Sequence, residues 1–320
     1  MDYESWLKEL KYSNDESVEI EIDKIHSFSY KINNDLISKD NVDLCNQKAL
    51  ERYNKFIKLI INKPIIMYTQ EHFNKIKYEE CILIFKNIIY DLLGNNKYIN
   101  TILKNFISII EINNSQDPLD GTVLQYEIIN NENIVNKKYR VIIPGCNTTG
   151  SIVCLVHEFI HYISFIQGIS INKKPYYYEI LSIFAEKYAT RYLKGQGRDT
   201  EESKIDSIRL SNLKYQNTTI KKQIDDYRLL AQRENDENMY NFYKEYRIFY
   251  KLLSESYGLG YLYSTTMLEL YLNDNSFKID FNRLFNKDIT LQELLDKYSI
   301  NMDNKDVIEL SKRRIRQIIK

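Results

Sequence analysis

Residues Ser151 to Ile163 read SIVCLVHEFIHYI. The stretch is apolar nearly all round: Ile152, Val153, Leu155, Val156, Phe159, Ile160 and Ile163 leave no polar face. A helix of that kind belongs in a core. It also carries His157, Glu158 and His161 in the order HExxH. Residues four apart stand one above the other on a helix, so His157 and His161 can put both imidazoles on one metal ion. Glu158 is then placed to reach a water on that metal. Unpaired polar groups in an apolar core are costly, so the three together call for a ligand. The chain has four histidines, and two of them are here.

A catalytic zinc takes three protein ligands and leaves one position for water or substrate. The helix predicted from about Tyr176 to Leu193 supplies carboxylates at Glu179 and Glu186, with Ser182 between them. Seven residues is close to two helical turns, so both acids share a face. Their neighbours Ile180, Leu181, Ile183 and Phe184 argue against full exposure. Glu179 is expected to be the third ligand. Glu186 is expected to accept a hydrogen bond from the outer nitrogen of a ligating histidine. The reverse assignment, Glu186 as ligand and Glu179 as support, stays open. One Zn2+ per chain is the expected cofactor.

Acidic and basic residues number 44 each. No net field draws the chain to nucleic acid or to a membrane surface, and neither partner is expected. Cys45, Cys81, Cys146 and Cys154 form no CxxC pair and suggest no disulfide framework. The opening MDYESWLKEL is acidic and has no signal-like apolar region. No apolar run is expected to span a membrane. A cytoplasmic setting follows as the expectation. His26 and His72 lack partners at ligand spacing and are read as ordinary histidines.

Glycine (9) and proline (4) are scarce, which favours long helices. Helices are predicted at Asp2–Leu10, Asp43–Asn62, Glu71–Leu93 and Lys97–Ile112, with Ser17–Ile32 ambiguous between strand and helix. The loop Asn113–Gly121 marks a candidate boundary: an N-terminal helical region over 1–115 and a catalytic region over 116–320, or one continuous helical domain. Strands Thr122–Ile129 and Lys138–Ile143 are expected to form a hairpin just before the HExxH helix. Asp199–Glu237 reads as a solvated helix or helix pair. Asn238–Leu253 and Tyr257–Leu272 read as separate helices around Gly258 and Gly260. Short helices are expected at Leu291–Tyr298 and Lys305–Ile319.

His157-Glu-Phe-Ile-His161 followed by Glu179-Ile-Leu-Ser182-Ile-Phe-Ala-Glu186 resembles the thimet oligopeptidase and oligoendopeptidase F family of gluzincins. Gly260-Tyr261-Leu262-Tyr263-Ser264 is similar to that family's Gly-Tyr-Leu-Trp-Ser segment. The resemblance covers roughly residues 120 to 275. It implies a mainly α, helical zincin-like metallopeptidase fold with a small β-hairpin and an edge strand beside the HExxH helix. It implies Tyr261 as the oxyanion donor and Tyr139, Val141 and Ile143 on the substrate-binding strand. Four family positions differ: Ile160 replaces a glycine, Ser164 and Phe249 replace histidines, and Ser254 replaces a second tyrosine, for which Tyr257 can substitute. The expected activity is hydrolysis of a peptide or protein substrate, with Glu158 as general base. The alternative is a catalytically inactive binding or scaffold protein on the same fold. Oligomeric state is open.

Overall fold

A computed structural model of the chain describes residues 47–130, 133–167, 178–197 and 201–318. The stretches Asp2–Leu10 and Ser17–Ile32, with His26 and Cys45, lie outside the described residues. The fold is mainly α-helical with one three-stranded sheet.

Helix α1 (Gln47–Ile61) buries Ala49, Tyr53, Phe56, Ile57 and Ile60, a helical stripe. The next predicted helix begins later than expected. A short 3-10 turn at Gln70–His72 is followed by α2 (Tyr78–Leu93), which ends at Gly94 with φ of 85°. Between them the backbone is committed elsewhere: Asn74 accepts from the amide of Thr149, and the amide of Ile76 donates to Asn147. These bonds tie the segment to the chain entering the HExxH helix.

Helix α3 (Lys97–Ser108) is capped by Asn96, whose side chain accepts from the Ile99 amide at 3.0 Å. It stops short of the expected Ile112. Residues Ile110–Ile112 instead form strand β1, since a β-branched run suits a strand that has a partner. The partner is β3 (Asn133–Ile143), with Ile110 opposite Val141 and Ile112 opposite Ile143 in parallel. Strand β2 (Thr122–Asn130) pairs with β3 in antiparallel fashion, Val123 opposite Val141. The strand order β1-β3-β2 corrects one expectation. The run Val141–Ile143 is central, paired on both sides, and cannot accept a further strand. Val141 and Ile143 are buried side chains of the core, and Tyr139 packs its ring on Tyr162 at 5.2 Å. The open edge beside the HExxH helix belongs to β2.

Helix α4 (Thr149–Gln167) carries the motif. Thr148 caps it, accepting from the Ser151 amide at 3.1 Å. By length and composition this helix could cross a membrane, contrary to the expectation that no run would, yet 89% of its apolar window is buried inside the protein. Phe159 meets Phe85 and Phe106 edge to face, at 5.8 and 5.3 Å between ring centroids. Helix α5 (Tyr178–Gly195) packs along it.

Helix α6 (Glu201–Tyr215) continues through a single π turn, Gln216–Ile220, into α7 (Lys221–Arg233). The expected solvated stretch is solvated only in part, because residues 205 to 210 are all buried. The two helices expected around Gly258 and Gly260 are one, α8 (Glu237–Asn273), capped by Asp236. The glycines do not end it; they let neighbours in. A Cβ at Gly258 would lie 2.2 Å from the Tyr53 hydroxyl, and one at Gly260 2.7 Å from Ile183 Cδ1 and 3.1 Å from Glu179 Cβ. Helix α9 (Asn275–Phe285), not expected from the sequence, starts on an Asp274 cap. Helices α10 (Leu291–Lys297) and α11 (Lys305–Ile318) close the chain. One hydrophobic cluster runs from Ala49 to Ile315.

Gly260→Ala should therefore destabilise the protein by about 1–3 kcal/mol, the usual range for overpacking. Gly195→Ala, with nothing within 4 Å of its new methyl, should be near neutral. Urea unfolding of the two variants checks this, and equal midpoints would reject the close-approach account of Gly260.

Candidate metal centre

The i, i+4 spacing on α4 brings His157 Nε2 and His161 Nε2 to 2.8 Å of each other. Helix α5 brings Glu179 Oε2 to 3.5 Å from the first and 3.7 Å from the second. Tetrahedral zinc bonded at about 2.0–2.2 Å keeps its ligand atoms roughly 3.3 Å apart. The three atoms bracket that value, and among the described residues they are the group able to hold a metal ion. All three side chains are buried.

Protons and charges agree with the geometry. His157 Nδ1 lies 2.5 Å from Glu186 Oε1. A carboxylate only accepts, so Nδ1 carries the hydrogen and Nε2 presents a lone pair. Glu179, not Glu186, stands at the converging nitrogens. Burial raises the Glu179 pKa, but His161 and His157 outweigh it and hold the carboxylate below its usual range. Ser182 donates to Glu179 Oε2 at 3.3 Å, so it supports that carboxylate.

Glu158 stands apart from this trio. Its Oε1 is 3.9 Å from His157 Nε2, and its Oε2 is buried with no hydrogen-bond partner. Burial lifts its pKa above the usual carboxylate range, with the two histidines pulling back. An orphaned carboxylate oxygen is expensive to bury, and a metal-held water in front of it would supply the missing donor. The backbone at Gly121 lies against the same side chain. A Cβ there would come within 2.8 Å of Glu158 Oε1 and 2.5 Å of Cys154 Sγ, so only glycine fits without displacing the acid.

The two tyrosines meet different cations. Tyr261 is buried with its ring stacked on Phe56, and Lys187 Nζ sits 3.7 Å over that ring. Its hydroxyl faces Asp206 and Arg314. Burial and the nearby Asp206 carboxylate push its pKa well up, opposed by Arg314. Its neighbours thus include the Lys187–Asp206–Arg314 group. Tyr257, one turn earlier on α8, meets a different cation. Its ring lies 5.5 Å from the guanidinium of Arg209.

Arg209 itself was not among the residues the sequence singled out. Its Nε donates to Glu186 Oε2 at 2.9 Å and its Nη2 to Glu186 Oε1, a buried bidentate pair. Against a burial penalty, Arg209 and His157 hold the Glu186 pKa down at about 2. The available signal was the apolar spacing Ile205, Ile208, Leu213 around it, which marks a buried face. Gly121 gave no signal within its polar loop.

No protein-family model matches the chain, and no curated protein matches it. Two solved structures are similar. One is a protein provisionally assigned as oligoendopeptidase F from Bacillus anthracis str. Ames, at 12% identity and TM-score 0.48 over 90% of this chain. The other is a provisionally assigned peptidase from Chlamydophila abortus, at 13% identity and TM-score 0.42 over 91% of this chain. This chain spans 55% of the length of each.

Glu179→Ala is expected to abolish stoichiometric zinc binding, whereas Glu186→Ala should keep it with affinity about 10–100-fold weaker, the usual effect of losing an outer-sphere acceptor. Competition against a chromophoric chelator separates the two. Equal losses would return Glu186 to the ligand set.

Proposed function

We propose that the chain is a zinc-dependent peptidase, an endopeptidase or oligopeptidase, acting on peptide or protein substrates. The observation that carries this reading is the fourth position of the metal centre. Three donor atoms converge, and the next side chain, Glu158, stands too far back to ligate and has a carboxylate oxygen with no partner. A purely structural zinc closes its coordination with a fourth protein ligand.

His157, His161 and Glu179 would hold the ion. Bound there, zinc would acidify a water and polarise a substrate carbonyl. Glu158 takes the proton of the attacking water at Oε2 and returns it to the leaving nitrogen. Its raised pKa suits both halves of that task. Glu186 keeps the hydrogen of His157 on Nδ1 throughout. We assign the oxyanion donor to Tyr257, whose ring lies beside Arg209, in preference to Tyr261, whose ring lies under Lys187. The outer edge of β2, which begins beside Gly121 and Glu158, is the strand offered to an extended peptide.

One observation favours a second reading. His157, Glu158, His161 and Glu179 are all at most 5% exposed. A centre so closed fits a protein that holds zinc and binds a partner without catalysis.

Glu158→Gln discriminates between the readings. Elemental analysis should find about one zinc per chain in wild type and variant alike. Cleavage of a peptide library should fall about 10²–10⁴-fold in the variant, as for loss of a general base. Zinc at full occupancy with no cleavage by wild type would favour the non-catalytic reading. Tyr257→Phe should lower kcat by about 10²–10³-fold, and Tyr261→Phe far less; the opposite order would restore Tyr261 to the role.

A further inference from the structure

We infer that Arg209 is a positioning residue of the metal centre. It fixes the Glu186 carboxylate, and through it the ring of His157. This inference rests on the metal reading above and extends it beyond the ligands and their immediate acceptor.

The geometry leaves Glu186 no freedom. Oε1 accepts from both His157 Nδ1 and Arg209 Nη2, and Oε2 accepts from Arg209 Nε. A carboxylate gripped on both oxygens by a planar fork cannot rotate about its last bond. Arg209 Nη2 also lies 3.4 Å from His157 Nδ1. Both atoms carry hydrogen, so this contact is no hydrogen bond, and Nδ1 is left to Glu186 alone. Lysine could match the charge but not the fork.

The arginine is held in turn. Consecutive residues of α5, Glu186 and Lys187, pair with Arg209 and Asp206 of α6 in opposite senses. Lys187 Nζ donates to Asp206 Oδ1 at 3.1 Å. The other Asp206 oxygen accepts from Arg314 Nε of α11 at 2.5 Å, and Arg314 Nη2 donates to Glu202 at 2.7 Å. A reciprocal clasp of this kind fixes the register of α6 on α5, because sliding either helix sets like charges together. Lys187, Asp206 and Arg209 are all at most 7% exposed, so solvent does not screen the clasp. On the opposite side Arg209 rests on the Tyr257 ring.

The test uses the full chain and four variants: Arg209→Lys, Arg209→Met, Glu186→Gln and the double Arg209→Met/Glu186→Gln, which leaves no unpaired buried carboxylate. Three quantities are measured: zinc affinity by chelator competition, the visible absorption of the Co2+-loaded protein, and the thermal midpoint without metal. Arg209→Lys and Arg209→Met should each weaken zinc about 10–100-fold, as Glu186→Gln does, and alter the cobalt bands. The double variant should be no weaker than Glu186→Gln alone, because both residues act through one carboxylate. A lower thermal midpoint with zinc affinity and cobalt bands unchanged would make Arg209 merely structural and overturn the inference. So would a double variant whose loss is the product of the single losses. If Arg209→Met does not fold, the lysine and double variants still separate a positioning role from a structural one. Wild-type protein that takes up no zinc would overturn the metal reading itself, and this inference with it.

Discussion

Two imidazole nitrogens stand 2.8 Å apart in a buried site, and because Glu186 holds the hydrogen of His157 on Nδ1, either a proton on His161 or a metal ion has to stand between them. A third donor atom, from Glu179, faces the same point. The residues around the centre hold these donors in place. Phe85 and Phe106 pin Phe159 and so fix the rotation of α4. Glu186 fixes the first imidazole from behind. Ser182 and the close approach of α8 at Gly260 confine Glu179. A core built only for stability would fill these places with aliphatic side chains, which pack without any requirement for a counter-charge.

The glycines follow the same logic. None of Gly121, Gly258 or Gly260 is needed for an unusual backbone angle; each is needed because another side chain occupies the space of its Cβ. At Gly260 the neighbour is the helix bearing Glu179, and at Gly121 it is Glu158. Two of these three close approaches are therefore made at residues of the site. Propensity alone favours a helix break at Gly258 and Gly260. Tertiary contact overrides it, and α8 runs unbroken past both.

What the sequence revealed of the centre was what is local to a helix. The four-residue interval of His157 and His161 and the seven-residue interval of Glu179 and Glu186 each set a shared face without knowledge of any other element. What it hid depends on partners distant along the chain. Ile110 to Ile112 continue a helical pattern and become a strand only because β3 offers an edge. That pairing in turn moves Val141 and Ile143 from an edge to the middle of the sheet. Arg209 lies in a charged stretch and takes its role from Glu186, on a different helix. Tyr261 was placed by similarity to a short segment, which fixes its position on α8 but not the group its hydroxyl meets.

On the proposed reading, the position of Glu158 is what would separate a centre able to do chemistry from one that only holds a metal. Its helix and its register next to His157 would allow a carboxylate to swing in and ligate. The backbone at Gly121 presses on that side chain, and Oε1 stays 3.9 Å from His157 Nε2. Glu158 does not join the group of donor atoms that lie within 4.8 Å of one another, and a water on a bound ion would stand between the two. Its unpartnered oxygen would be satisfied by a water at an open metal position, and on the proposed reading that is the water it would deprotonate. On the proposed reading, the contact that keeps Glu158 from ligating a metal is also what leaves it as the base.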